Sequence, residues 1–337
     1  MTDSGQQDWM QEAYRPELAS VVIPTFNRAD LILDALDSVR LQTYRPIEIV
    51  IVDDGSKDNT AQLVETWKRE HCGSGLSLIF VSQQNQGSGA ARNAGLKICK
   101  GEFIQLLDGD DIIHPEKLAG SIRYAKEGNA GVVVGHVVRF VQRSEIEEDL
   151  AGPARTGSHR APPKQPPYFT RLRWDGHVPL YRREVLAKVG PFATNLLFGT
   201  GDYAMRVKLS GFEIVYAPYV YYYYRQGVEG ALTKKPAPII AAEKIKELEE
   251  AYKHLAAADV ADAAEWRNLA LRALKTSYLA YAVAGHKETA QRALALARKC
   301  GSRSSDSTSL LSRLPSVVLL AGMTLWHRVF RLRRKGL

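Results

Sequence analysis

Only three cysteines, Cys72, Cys99 and Cys300, occur in the 337 residues. They are too few and too scattered for a disulfide framework or a cysteine zinc site, so a reducing compartment is the default. The chain also lacks any run of the ~20 apolar residues that a bilayer-spanning helix needs. Its first seventeen residues, MTDSGQQDWMQEAYRPE, are polar and acidic, without the basic start and apolar middle of a secretory signal. These deficits predict a cytoplasmic protein, or a peripheral one held on the inner face of the plasma membrane. Acid is in the minority, with 37 Asp+Glu against 45 Lys+Arg and a formal net charge of +8. That balance favours anionic partners such as nucleotides or acidic lipid. Nucleic acid is not an expected partner, because the basic residues are dispersed and no recognition motif is present.

What the chain does have is a regular alternation. Ser20–Pro24, Ile47–Val52, Leu76–Ser82 and Glu102–Leu107 are short apolar runs of strand type. Between them Ile32, Ala35, Leu36 and Val39 fall at core spacing in one helix. Leu63, Val64 and Trp67 do so in a second, with Asp58 as its N-cap. A third opens at Gly87-Ser88-Gly89 and carries Ala91, Ala94, Gly95 and Ile98, and Pro115 suits the first position of a fourth. Strands and helices alternating over short connections predict an α/β fold with a parallel, doubly wound sheet, whose ligands lie at the carboxyl ends of the strands.

Beyond it, Gly131–Val141 is a further strand. Residues 142–167, holding PARTGSHRAPPKQPP, have almost no apolar periodicity and read as a mobile loop. Its Arg155, His159, Arg160 and Lys164 either close over an anionic ligand or are simply solvated. Tyr181–Val189 and Asp202–Ser210 are helices stopped by Gly190-Pro191 and Gly211. Phe212–Ala217 is a strand, and Tyr219–Tyr224 an extended aromatic segment with half its rings in the core. Residues 238–300 form a helical region without proline after position 238, expected as helices over 240–257, 262–284 and 286–299 that pack or self-associate. Residues 301–337 are a linker and a tail. Over 314–337 the tail places Leu325, Trp326, Val329 and Phe330 on one stripe ahead of Arg331, Arg333, Arg334 and Lys335. It either lies in an anionic membrane surface or docks as a terminal helix. The expected division is thus an arm (1–17), an α/β domain (18–230), the helical region and the tail.

The chemistry gathers at EFIQLLDGDD, Glu102–Asp111. A strand ending in Asp108-x-Asp110 sets two carboxylates at the mouth of a sheet. Hard divalent cations are commonly shared there between carboxylates and substrate phosphates. Alone, such a cluster is as readily an acidic turn or a helix cap. It does not stand alone. VVIPTFNR (Val21–Arg28), IVDDGSKDNT (Ile51–Thr60), NQGSGAARNAGL (Asn85–Leu96) and FIQLLDGDD (Phe103–Asp111) follow one another as four islands.

In order and spacing these islands resemble the inverting family 2 glycosyltransferases, over about residues 18–225. The resemblance implies the GT-A fold, a Rossmann-like, mostly parallel sheet flanked by helices, with the helical region as a C-terminal extension. It implies a nucleotide diphosphate-sugar donor, first of all a UDP-sugar, bound by residues 18–125, and an acceptor half over 126–230. Asp54 then accepts a hydrogen bond from the base, and Pro24, Thr25 and Asn27 lie against the nucleoside. Arg92 meets phosphate oxygens at a helix N-terminus, where Gly87 and Gly89 let the backbone approach. Asp108 and Asp110 match the family's Asp-x-Asp, holding Mn²⁺ or Mg²⁺, with Asp108 on the metal or the ribose, and Arg225 falls near the diphosphate. Asp111 is a ligand or a helix cap. Asp202, in FGTGDYAMRVKLSGFEIVYAP, matches the general base that deprotonates the acceptor hydroxyl, and reads otherwise as an N-cap. Gly201 departs from the Glu usual before that base. His177 is open between the metal, the acceptor and a structural role. The implied acceptor is a hydroxyl of a glycan or lipid-linked glycan, in cell-surface polysaccharide synthesis. The rival is a catalytically degenerate relative serving as a nucleotide-sugar-binding or scaffold subunit. A nucleotidyltransferase would carry a glycine-rich basic loop after the first strand, where this chain has PTFNRAD.

Overall fold

The apolar runs become strands whose carboxyl ends share one edge of the sheet. The computed structural model describes residues 9–10, 14–152 and 176–257, together with 291 and 295. In it β1 (Arg15–Thr25), β2 (Ile47–Asp53), β3 (Leu76–Ser82) and β4 (Gly101–Leu106) are parallel, in the order β3-β2-β1-β4. Every residue of β2 is buried, which is why five of its seven residues are apolar. Ile23, Ile49 and Ile51 pack into one core with Leu36 and Trp67. Val22, Val50 and Val52 pack into the other with Ala91 and Leu96. Helices α1 (Ile32–Arg40), α2 (Thr60–His71), α3 (Ser88–Ile98) and α4 (Lys117–Glu127) cover these faces. The chain winds outward from β1 to β3 and returns to β4 on the other side, so the switch point lies between the ends of β1 and β4.

The second half of the sheet is mixed. The two-residue β5 (Ile112–Ile113) runs antiparallel to β8 (Ile214–Arg225), and β8 parallel to β6 (Val132–Phe140). The short β7 (Leu180–Arg182) is antiparallel between β4 and β6. The expected strand at 212–217 and the aromatic segment at 219–224 are one strand, β8. Its register against β6 jumps from Ala217 to Tyr221 across Pro218, which has no N–H to give the ladder. The helix expected from Tyr181 starts at α6 (Arg183–Val189), because Tyr181 and Arg182 pair with β4 and β6.

Several boundaries move for local reasons. Asn59, not Asp58, occupies the cap position of α2. Asp58 instead accepts hydrogen bonds from the Thr60 N–H (3.1 Å) and the Ala29 N–H (3.1 Å), tying the helix start to the loop after β1. Pro115 precedes the cap residue of α4, Glu116. Gly199, at φ +63°, precedes α7 (Thr200–Leu209), which leaves Asp202 inside the first turn and not at the cap. In α3 the buried face is Gly89, Ala91, Arg92, Asn93, Gly95 and Leu96, with Ala94 and Ile98 half-buried. The expected arm is partly docked: Trp9 Nε1 donates to Ala187 O (3.2 Å), Met10 is buried, and β1 starts at Arg15.

The first part of the expected loop is ordered. A 3-10 turn (Arg143–Glu145) leads into α5 (Glu147–Ala151). Ile146 packs with Ile112, Phe140, Tyr221 and Tyr223, and His114 Nε2 donates to Asp149 O at 3.0 Å. Two apolar residues, Ile146 and Leu150, are too short a period to register in sequence. Residues 153–175, with Arg155, His159, Arg160 and Lys164, lie outside the described residues.

The chain divides into two compact units, Met1–Ala231 and Leu232–Leu337. In the second, α8 (Ala237–Ala257) begins slightly before the predicted 240 and carries Lys246–Glu243 and Lys253–Glu250 ion pairs. Apart from Gln291 and Ala295, which are helical, the predicted helices at 262–284 and 286–299 and the tail lie outside the described residues. Among those residues no helix is long and apolar enough to cross a membrane.

One buried charge sets a pH dependence. Lys117, at the start of α4, is fully buried, with Ser121 Oγ 3.5 Å from its Nζ. Burial pulls it down to about 7 from 10.5. The unfolded chain then binds the proton more tightly than the fold does between those values, so this group's penalty is full below pH 7 and fades as pH rises. Lys117→Met is expected to raise the free energy of unfolding, by roughly 2–3 kcal/mol more at pH 6 than at pH 9, as read from denaturant unfolding at the two pH values. An equal gain at both would show that Lys117 is not neutralised by folding.

Candidate functional site

The loops leaving β1 and β2 are stitched together. The Asn27 N–H donates to Ser56 Oγ (2.8 Å), and Asn27 Oδ1 accepts from the Lys57 N–H (2.7 Å). Asn27 sits at φ +50°, a conformation asparagine tolerates better than most residues. Pro24 and Thr25 close β1 opposite Val52 and Asp53. Thr25 Oγ1 is buried with no hydrogen-bond partner, and a Cβ on Gly109 would lie 3.0 Å from it. Phe26, between them, is 42% exposed. It is an apolar face on the rim of the strand ends that sequence reasoning passed over.

Asp54 shapes the next loop. It accepts from Gln83 Nε2 (2.7 Å) and from the N–H groups of Gln86 (2.9 Å) and Gly87 (2.8 Å). That holds the entry to α3, where Gly87 takes φ +91°. Gly89 has a different use from the expected one. A Cβ there would sit 2.8 Å from Ala193 O, so its small size admits another backbone segment. Asn93 secures that segment, donating to Phe192 O (2.9 Å) and accepting from the Phe192 N–H (2.7 Å). Arg92 is buried one turn into the helix and donates to Asp108 Oδ1 at 2.7 Å.

The three aspartates after β4 have three different environments. Burial works against the charge of Asp108, but Arg92, then His177 and Arg28, outweigh it and hold the carboxyl below its ordinary value. Asp110 Oδ2 accepts from Arg28 Nε (3.0 Å), while Arg28 Nη1 donates to Asn27 O (3.0 Å). Burial and the charge of Asp108 push Asp110 up. Asp111 is wholly buried; Oδ2 accepts from the Tyr222 hydroxyl (2.9 Å) and Oδ1 from the Arg225 N–H (2.8 Å). Burial, then Asp110 and Asp108, push it well above the usual carboxylate range.

His177 completes the cluster. It is 5% exposed, and both ring nitrogens are buried without a hydrogen-bond partner. Ligand atoms of Asp108, Asp111 and His177 lie within 4.8 Å of one another. An imidazole and two carboxylates suit a divalent cation such as Mn²⁺. A buried imidazole with no partner is costly unless something else satisfies it, so these residues fit the metal that the sequence pattern implies. Of the expected pair, Asp108 belongs to this group, whereas Asp110 is turned to Arg28. Asp111 and His177 join Asp108 in the three-ligand group.

Arg225 braces this loop. Its Nε donates to Asp110 O (2.9 Å) and Nη2 to Asp34 Oδ2 (2.6 Å), with the guanidinium over the Phe140 ring. Asp202 is 1% exposed, and Oδ2 accepts from Arg206 Nε (3.0 Å). Arg206 is itself held by Val189 O (2.9 Å) and Pro191 O (2.8 Å). A Cβ on Gly176 would sit 3.0 Å from Thr200 O, so the start of α7 lies against the residue before His177. Phe192 stacks on Tyr203 at 3.7 Å, with the Arg92 guanidinium 5.7 Å from the same Phe192 ring. The element bearing Asp202 is thereby tied to the helix bearing Arg92.

Comparison with known proteins bears on this geometry. S. aureus TarS 1–349 in complex with UDP-GlcNAc aligns over 84% of this chain and 81% of its own, at TM-score 0.66 and 20% identity. The Pyrobaculum calidifontis mannosyltransferase PcManGT, in complex with GDP-Man and Mn²⁺, aligns over 93% and 81%, at TM-score 0.57 and 22% identity. The fold is GT-A: a mixed, mostly parallel sheet flanked by helices. A Nostoc protein described as an uncharacterized glycosyltransferase is 34% identical over 184 residues, 51% of this chain and 53% of that one. Glycosyltransferase GlyG of Streptococcus pneumoniae is 32% identical over 125 residues, 37% of this chain and 40% of its own. The chain spans between about a sixth and about half of the length of such relatives. The family model described as Glycosyl transferase family 2 matches residues 20–190, just over half of the chain, and the chain belongs to that family.

Proposed function

We propose that the protein transfers a sugar, with inversion, from a nucleotide diphosphate-sugar to a hydroxyl of a glycan or lipid-linked glycan, and that it needs Mn²⁺ or Mg²⁺. The observation that carries the metal-dependent donor site is the pair of partnerless ring nitrogens of His177 beside Asp108 and Asp111. These three residues would hold the cation. Bound there, it supplies Lewis-acid relief of the charge that develops on the departing diphosphate.

The chain's own groups do the rest. Phe26 offers a face for the base, and Asp54, with a lone pair left beyond its three donors, accepts from a base N–H. A UDP-sugar is favoured, as uracil offers one such donor, N3–H. Pro24, Thr25 and Asn27 line the nucleoside, and the hydroxyl of Thr25 is free to bond it. Arg92 and the N-terminus of α3 face the diphosphate charge. Asp110, paired with Arg28, keeps the first loop against the Asp108–Asp111 loop. Asp202 takes the proton of the acceptor hydroxyl as it attacks the anomeric carbon. The family's usual business puts the reaction at the inner face of the plasma membrane, in surface-polysaccharide synthesis. Gly201 in place of the usual Glu favours one alternative, a degenerate binding or scaffold subunit.

A thermal-shift panel of nucleotide diphosphates and their sugars, with and without Mn²⁺, separates these readings. Ligands that bind only the folded state raise the melting temperature. The expected result is a Mn²⁺-dependent rise with UDP and a UDP-sugar. No shift with any nucleotide would overturn the donor site. Tight binding without turnover of any nucleotide-sugar, with or without acceptors, would favour the scaffold.

A further inference from the structure

Tyr222 meets all three members of the candidate cation group. It is wholly buried in β8, opposite Ile113 of β5 and Val137 of β6. Successive residues of a strand face opposite sides. Tyr221 and Tyr223 accordingly enter the cluster with Ile112, Phe140 and Ile146, while Tyr222 enters the main core. Its hydroxyl oxygen accepts from the Asp108 N–H (3.2 Å) and its proton goes to Asp111 Oδ2 (2.9 Å). Its ring stands edge-on to His177, centroids 5.4 Å apart at 61°.

The direction of the hydroxyl is settled by its neighbours. The Asp108 N–H can only donate, so the phenolic oxygen accepts from it, and the one phenolic proton is left for Asp111 in its ionised, metal-binding form. The second oxygen of Asp111 receives the Arg225 N–H from the same strand. Both oxygens of Asp111 are thus oriented by β8, and the ring contact limits how the imidazole of His177 can turn. We propose that Tyr222 is a positioning residue for the cation. Its hydroxyl fixes the Asp111 carboxylate relative to the Asp108 backbone, and its ring fixes the face His177 offers. The inference rests on the reading of Asp108, Asp111 and His177 as the metal group.

The test is Mn²⁺ affinity of the full-length protein, read from the electron paramagnetic resonance signal of free Mn²⁺. Partners of metal ligands typically account for 10–100-fold in affinity. Tyr222→Phe is expected to raise the Mn²⁺ Kd by about 10-fold or more. Any UDP binding measured in EDTA should stay unchanged. If Tyr222 acts through Asp111, the double variant with Asp111→Asn binds Mn²⁺ no more weakly than Asp111→Asn alone. An unchanged Kd in Tyr222→Phe overturns this proposal and leaves the metal reading standing. A wild-type protein that takes up no Mn²⁺ overturns both. Should Phe disturb the sheet, 3-fluorotyrosine at position 222 keeps the shape and alters only the strength of the donor. A shifted Kd supports the proposal, and an unshifted one overturns it.

Discussion

Asp202→Asn is expected to lower kcat for sugar transfer by about 10³-fold, while nucleotide-sugar binding stays within about twofold of wild type. The substitution keeps the shape and one oxygen, and removes the charge that would accept the acceptor's proton. The surroundings make it a clean test. Asp202 lies in the first turn of α7, held by Arg206, which is anchored to Val189 O and Pro191 O. A carboxylate at the N-terminal turn is also favoured by the helix dipole and pairs with Arg206, so a loss of stability accompanies the change. The kinetic loss must therefore be read as kcat at saturating donor and acceptor. A kcat within a few fold of wild type would mean that another group takes the proton and that Asp202 only secures Arg206.

Asp108→Asn is expected to abolish the Mn²⁺-dependent part of nucleotide binding and to lower kcat/KM by about 10³-fold, a barrier increase of about 4 kcal/mol. Asp108 has two duties. It belongs to the three-ligand group, and it is the partner of the buried Arg92 guanidinium at 2.7 Å. Losing the second duty destabilises the fold, since a buried charge left unpaired is costly. His177→Ala separates the two. It removes a ligand atom but leaves Asp108 paired with Arg92, so Mn²⁺ dependence should fall with less effect on the melting temperature. Retained Mn²⁺-dependent binding of UDP in both variants would exclude this cluster as the cation site.

How much of this was legible from sequence differs between the halves of the chain. The strands at Ile47 and Leu76 were visible because each is a local apolar run with a defined end, and the carboxyl ends of β1, β2 and β4 carry the polar clusters. The placing of Asp54, Asp108 and Asp110 at those ends follows from that pattern. Their partners did not. Asp110 faces Arg28 from 82 residues away, and Arg28 was visible only as the last letter of an island. The bracing by Arg225 and the stitch between Asn27 and the loop after β2 also join distant segments.

By itself, the sequence determined the parallel half of the sheet, the edge where ligands collect and the residue types that collect there. Local periodicity is enough for that, since each strand and helix buries its own face. Only the tertiary structure decided which carboxylate joins which neighbour. Pairings of β4 with β7 and of β5 with β8 set Tyr222 between Asp108 and Asp111, and His177 precedes β7. Those pairings depend on register between segments up to 111 residues apart, and no local pattern records register.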